Sequence, residues 1–229
     1  MKLVQISCLC LAALLAACQD DKEEYLPNVK PEASGTFVDS RDQYEYHWVR
    51  FDGLDWTVEN AHYNTGEGSC FIYPETHGSS VTYSEANLPK YGYLYTFEGA
   101  KEAVPEGWRL PTDEDWNRLE AALNSSSDEL QQYGWRGAAG LVMQQDEAGG
   151  GLNLLMGGYY NTYFDANGDG ANYRHMGSFG YFWSQTKDAS KAGEYYFYRK
   201  IMYNRPQVYR ESINIQNYYL SVRFVRDAQ

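Results

Sequence analysis

One stretch repeats apolar residues at helical spacing. Trp116, Leu119, Ala122 and Leu123 share a face of a helix predicted over 112–124. Thr112 offers an N-cap hydroxyl, Asp115 completes an imperfect capping box three residues on, and Pro111 blocks extension backwards. Asn124, Ser125, Ser126 and Ser127 stop it. A shorter helix is predicted over 97–104, and a single helical turn over 128–133 with Gly134 just past its end. Elsewhere the pattern alternates with period two. Strands are predicted over 44–51, with Tyr44, Tyr46, Trp48 and Arg50 on one face, and over 207–215; richness in Tyr and Phe predicts another over 194–201, and 219–225 reads as a strong C-terminal strand. Gly-rich connections at 134–158 and 168–180 separate them. Few short helices, a small, mainly antiparallel sheet and long ordered loops make an α+β chain.

The first residues do not belong to that pattern. Lys2 is followed by an apolar run to Ala17, interrupted only by Gln5 and Ser7 and short for a membrane span. It ends Leu15-Ala16-Ala17-Cys18, and small residues before a Cys form a bacterial lipobox. An ordinary signal peptide with a chance Cys is the alternative; run length, charge and Cys position together favour lipidation of Cys18. The lipid would hold the chain to the membrane, each buried CH₂ contributing about 0.8 kcal/mol. Residues 1–17 are thus read as a lipoprotein signal, 18–40 as an acidic flexible tether, and 41–229 as one domain. The run from Gln19 to Glu24 resembles the acidic export signal of Bacteroidetes surface lipoproteins, which implies an outer-membrane protein facing the cell exterior.

Composition sharpens this. With 19 basic and 31 acidic residues the net charge is -12, which excludes a nucleic-acid partner, since that needs a basic face. A mean hydropathy of -0.62 excludes a polytopic membrane protein. Of four Cys, Cys8 and Cys10 leave with the signal and Cys18 carries lipid, so Cys70 is the lone remaining thiol and no intrachain disulfide is available. A buried, inert thiol is the preferred reading of Cys70.

Two segments have a distinctive order: Tyr91-Gly92-Tyr93-Leu94-Tyr95, then Gly107-Trp108-Arg109-Leu110-Pro111-Thr112-Asp113-Glu114-Asp115-Trp116. They resemble the Fibrobacter succinogenes major paralogous domain, which couples a YG-x-LY segment to a GW-R/H-LP-T/S-x-x-E/D-W helix start. Trp56 through Asn60 resembles that family's W-x-x-x-N segment, Gly180 through Ser184 its G-x-x-WS segment, and Ser221 through Val225 its SVR-C-V end. The resemblance spans about residues 48–227. It implies a C-type-lectin-like fold, distantly similar to the formylglycine-generating sulfatase-modifying domain, with the termini joined in a sheet and function carried by long loops on one face. It also implies that Trp56, Gly107, Trp108, Arg109, Pro111, Trp116, Trp183 and Arg223 are structural, with Trp108 packed beneath Trp116. Val104 and Phe224 stand where relatives commonly carry Cys, so an apolar contact would replace a disulfide if the two places touch.

Catalytic chemistry finds little support. A formylglycine-generating oxidase needs two thiols. His47, His62, His77 and His175 lack metal-type spacing, and no phosphate loop, nucleophile elbow or glycosidase carboxylate couple stands out. Asp165, Asn167 and Asp169, with Gly168 and Gly170, open like a calcium loop, but the twelfth position is Met176 where an EF-hand has Glu. An Asp/Asn/Gly turn is the plain alternative; calcium is the one cofactor on offer, and none is required. Among the 22 Tyr, the residues Tyr159, Tyr160, Tyr163 and Tyr173 flank this loop and are candidates for stacking on a ligand. Trp48, Trp56, Trp108, Trp116 and Trp183 are assigned to the core. The expectation is a surface lipoprotein with a non-catalytic domain that recognises a glycan or a surface protein. A structural, adhesin-type component and a glycan-modifying enzyme are the rivals.

Overall fold

The computed structural model describes residues 27, 29–77, 80–82, 85–146, 151–163 and 172–228. The segment read as a signal, Cys18 and the acidic run lie outside the described residues. The first elements are β1 Ser34–Val38, β2 Glu45–Phe51, β3 Leu54–Thr57, β4 Cys70–Phe71, β5 Glu75–His77, β6 Ser80–Thr82, α1 Leu88–Tyr91, β7 Leu94–Tyr95 and α2 Phe97–Glu102. Then come α3 Asp113–Ala122, β8 Gly134–Arg136, α4 Gly140–Met143, β9 Tyr159–Asn161 and β10 Asn172–Arg174. The chain finishes with β11 Phe179–Lys187, β12 Tyr195–Met202, β13 Val208–Asn214, β14 Tyr218–Tyr219 and β15 Val225–Asp227. This is an α+β fold with few short helices. Its strands form several small antiparallel sheets, chiefly β1-β2-β3-β15, β11-β12-β13-β8 and β10-β9-β14, rather than a single one.

α3 forms where its pattern predicts. The capping box is complete: Thr112 Oγ1 accepts from the Asp115 N–H at 3.0 Å, and the Asp115 carboxylate accepts from the Thr112 N–H at 2.7 Å. Beneath it, β11 and β12 send alternate residues to opposite faces, as pleating requires. Phe182 and Ile201 join Trp56, Trp116, Leu119 and Val225 in one core cluster. Tyr181, Trp183 and Tyr198 join Tyr46, Tyr95, Phe97, Trp108 and Phe224 in a second. Val104 packs against that second cluster, so both places where relatives carry Cys feed one apolar core.

The buried face of α3 also carries Asp113, Asn117 and Glu120, at helical spacing. Arg199 donates to all three, at 2.6, 2.8 and 2.7 Å respectively. Arg210 forks onto Asp113, and Arg136 reaches Glu120 at 2.9 Å. Burial works to raise the pKa of Asp113, but the Arg210 and Arg199 guanidiniums outweigh it and hold the carboxyl below its usual range.

Several expectations are corrected. Ser34–Val38, inside the segment read as tether, is strand β1, and its Phe37 ring stacks on Trp108 at 4.4 Å. Gly35 weakens the strand signal but is required there, because a Cβ would lie 2.6 Å from the Trp48 ring. The predicted strand over 219–225 is broken: β14 pairs with β9 and β15 with β3. Residues 220–224 run through the centre, buried on every side, so they cannot present one face to each sheet. The 128–133 segment makes turns rather than a helical turn. Arg136 and Arg210 draw the carbonyls of Leu130 and Gln131 inward, away from any helical ladder. Trp108 does not lie beneath Trp116, since the two belong to different clusters. Trp48 is half-buried rather than core, flanked by the guanidiniums of Arg50 and Arg226. On β2 both faces are used, Tyr46 buried on one and Val49 and Phe51 on the other, so the chain predicted as one buried face is shared between two clusters.

Candidate functional site

The motif residues build scaffold. Trp116 Nε1 donates to the Trp183 carbonyl at 3.3 Å, and Trp183 Nε1 donates to the Tyr95 carbonyl at 2.8 Å. The G-x-x-WS segment thus bridges the long helix to the YG-x-LY segment. Arg109 pairs with Asp115 and its backbone bridges to Val225, so it ties the helix start to β15. Gly92 turns at φ 66°, and a Cβ there would meet the Ala61 carbonyl at 2.4 Å. Arg223 is fully buried. It donates to Asn60 Oδ1 at 2.7 Å, to the carbonyls of Thr57, Leu152 and Asn153 at 2.8, 3.1 and 2.7 Å, and to that of Val58. The W-x-x-x-N and SVR segments are therefore two halves of one clamp. Burial pushes the Arg223 guanidinium down to about 9, so it remains cationic at neutral pH.

A cleft lies beside this scaffold, with a volume of about 560 Å³. Its floor is set by the sheet β10-β9-β14, whose register places Tyr173, Tyr160 and Tyr219 side by side. The Tyr160 ring lies 4.5 Å from Tyr173 and 4.9 Å from Tyr219. Phe71 packs against Tyr160 and Tyr219 at 4.8 and 5.0 Å. Tyr219 Oη donates to the Gly68 carbonyl at 2.9 Å and so fastens the 64–70 loop above the floor. Asn64, Glu67 and Glu85 are exposed on the rim, Tyr93 and Cys70 form the wall, and no Lys or Arg is among the described lining residues. Burial raises the Tyr93 pKa, and the neighbouring Cys70 and Glu85 add to the shift, so its hydroxyl stays protonated and able to donate. The cleft offers π faces below and two carboxylates, an amide and a phenol above. Such a set suits a polar ring with one apolar face.

The four tyrosines singled out by the sequence do not act together. Tyr160 and Tyr173 line the cleft. Tyr159 and Tyr163 point to the opposite face of β9 and its continuation: Tyr159 packs on Tyr181 at 4.9 Å, and Tyr163, half-exposed, packs on Tyr218 at 5.6 Å. Strand alternation is the reason. Asp165, Asn167 and Asp169, the calcium candidates, lie outside the described residues. Cys70 is buried, free and part of the cleft wall. His47 pairs with Glu59 at 2.7 Å, His62 stacks on Tyr44 at 3.9 Å, and His175 meets the Tyr181 hydroxyl at 2.7 Å, so these three are spread over separate places. Sequence reasoning overlooked Glu67, Phe71 and Glu85, which are neighbours only in space. Tyr93 had a signal, since it occupies the variable position of the YG-x-LY segment.

Fold and site define a small α+β domain in which an interlocked scaffold carries a ligand-sized cleft. The description of the Fibrobacter succinogenes major domain matches residues 49–226, and the chain belongs to that family. No curated protein and no solved structure gives a significant match.

Proposed function

We propose that this chain is a lipoprotein anchored through Cys18 in the outer membrane and facing the cell exterior, with a non-catalytic, C-type-lectin-like domain that binds a glycan in the Tyr160–Tyr173 cleft. The observation that carries the reading is the cleft itself: an aromatic floor under a rim of Asn64, Glu67 and Glu85. Sugar rings present an apolar CH face to aromatics and hydroxyls to carboxylates and amides, and this cleft offers both. Its acidic rim favours a neutral saccharide over an acidic one. The signal-like segment ending at Cys18 supports the anchor.

The test is a neutral-glycan array probed with the full chain, followed by titration of any hit. Glu67→Gln and Tyr173→Ala should each weaken binding about tenfold or more, the size of one lost hydrogen bond or stacking contact. Tyr163→Ala, on the opposite face, should leave it unchanged. A blank array alongside a stoichiometric outer-membrane protein in a pull-down would sink the glycan reading. Palmitate labelling lost in Cys18→Ser, and protease shaving of intact cells, test anchor and orientation.

A further inference from the structure

A second face of the molecule has the opposite polarity. On the four-stranded sheet, Trp135 of β8 stands opposite Tyr209 of β13, Tyr209 opposite Lys200 of β12, and Lys200 opposite Tyr181 of β11. Cross-strand partners share a face, so Lys200 is set in a row of rings. Its Nζ lies 3.8 Å from the Tyr209 centroid, 5.1 Å from Trp135 and 5.7 Å from Phe179. The Arg205 guanidinium lies 4.1 Å from the same Trp135 ring.

Neither cation has a carboxylate partner among the described residues, and Arg205 Nε is buried without any hydrogen bond. The acid on this face, Glu211, is taken by Lys191 at 2.9 Å. Burial lowers the Lys200 pKa first, and the neighbouring charge that lowers it further is Arg205. Two like charges are thus held against one indole in a chain whose net charge is -12.

The pair is also held in place. Arg205 sits in the turn between β12 and β13, and hairpin turns are ordinarily mobile. Here the Gly140 N–H donates to the Pro206 carbonyl at 2.6 Å, and the Gln144 amide donates to the Met202 carbonyl at 3.0 Å. A Cβ at Gly140 would meet the carbonyls of residues 205–207 at 2.6 to 2.8 Å, so α4 starts directly beneath the turn. Tyr203, 61% exposed, projects from the same turn.

We propose that Lys200 and Arg205 form a binding site for an acidic polysaccharide, whose ring carboxylates or sulfates sit on the two cations while its sugar rings pass over the edges of Trp135, Tyr209 and Phe179. The row of rings across the strands suits a chain of sugars rather than a lone ion. The site is separate from the Tyr160–Tyr173 cleft, and its success or failure does not depend on that reading.

The experiment is calorimetric titration of the full chain with hexagalacturonate and with a sulfated dextran oligomer, against methyl-esterified hexagalacturonate and inorganic sulfate. At least one charged oligomer should bind and both controls should not. Lys200→Met, which keeps an unbranched apolar stem over the rings, and Arg205→Gln should each weaken that binding roughly tenfold or more. Tyr173→Ala should leave it unchanged. Thermal melts of the variants confirm that the fold is intact, and Arg205→Gln, in a surface turn, remains informative if Lys200→Met unfolds. The proposal is overturned if neither oligomer binds, if both variants bind like the parent, or if inorganic sulfate binds as tightly as the oligomer.

Discussion

Replacing Arg223 by Met tests how the motif holds the fold. The guanidinium is fully buried and donates to five oxygens of residues 57, 58, 60, 152 and 153. Met fills much of the stem but supplies no donor. At the low end of about 1 kcal/mol for each buried acceptor left dry, five acceptors lose about 5 kcal/mol. Relief from burying a charge returns part of this, because the partners are neutral and no carboxylate is stranded. The expected net loss is about 3–5 kcal/mol, a large share of the ~5–15 kcal/mol that holds a typical domain. For a domain of this size it corresponds to roughly 10–15 °C in melting temperature. Arg223→Lys, with three donors and no fork, should fall between. Urea unfolding followed by tryptophan fluorescence measures it, with Arg109→Met as comparison. Arg109 is about one-third exposed and pairs chiefly with Asp115, so its loss should cost about 1 kcal/mol. An Arg223→Met chain as stable as Arg109→Met would refute the clamp.

Three further outcomes are expected. Thr112→Ala removes one half of the capping box and should cost about 1–2 kcal/mol in the same assay, with no loss of helix signal at low temperature. Gly158→Ala should destabilise by at least about 2 kcal/mol, because φ is +68° and a Cβ would lie 2.3 Å from the Arg174 carbonyl; a stability within 0.5 kcal/mol of the parent, roughly the scatter of a surface change, would contradict the geometry. Burial works to raise the Asp188 carboxyl, but hydrogen bonds from Ser190, Ser212 and Tyr133 hold it down at about 2. Its folded pKa is below the unfolded value, so its stabilisation is present above about pH 4 and lost as pH falls through about 2. The stability gap between parent and Asp188→Asn should therefore narrow over that window, and a gap that does not change with pH would count against it.

The local elements were legible where one short stretch carries the whole signal. Thr112, Asp115 and the apolar face of α3 are covalent neighbours, so cap and helix follow from propensity and spacing. Period-two runs found β2 and β13, and a run rich in Tyr and Phe found β12, for the same reason. β1 was hidden by Gly35, whose missing side chain makes room for Trp48, a residue on another strand. The run through 220–224 reads as a strand because it is apolar, yet it is buried on all sides and hands the chain from one sheet to another.

The sequence by itself determined the family, the α+β class, the lone thiol of the domain and the helix that the motif begins. Each depends on residue identity or on spacing within a few positions. Only the tertiary structure decided that Asp113, Asn117 and Glu120 turn inward to meet three arginines, and that Tyr160 lies beside Tyr173 of β10 and Tyr219 of β14. It alone brought Glu67, Glu85 and Tyr93 to one cleft, and left Lys200 and Arg205 on Trp135 with no carboxylate partner among the described residues. The physical reason is common to all four. Charge pairing and cleft formation depend on distances between strands far apart in the chain, and those distances are set by packing of the two cores, which no local pattern encodes.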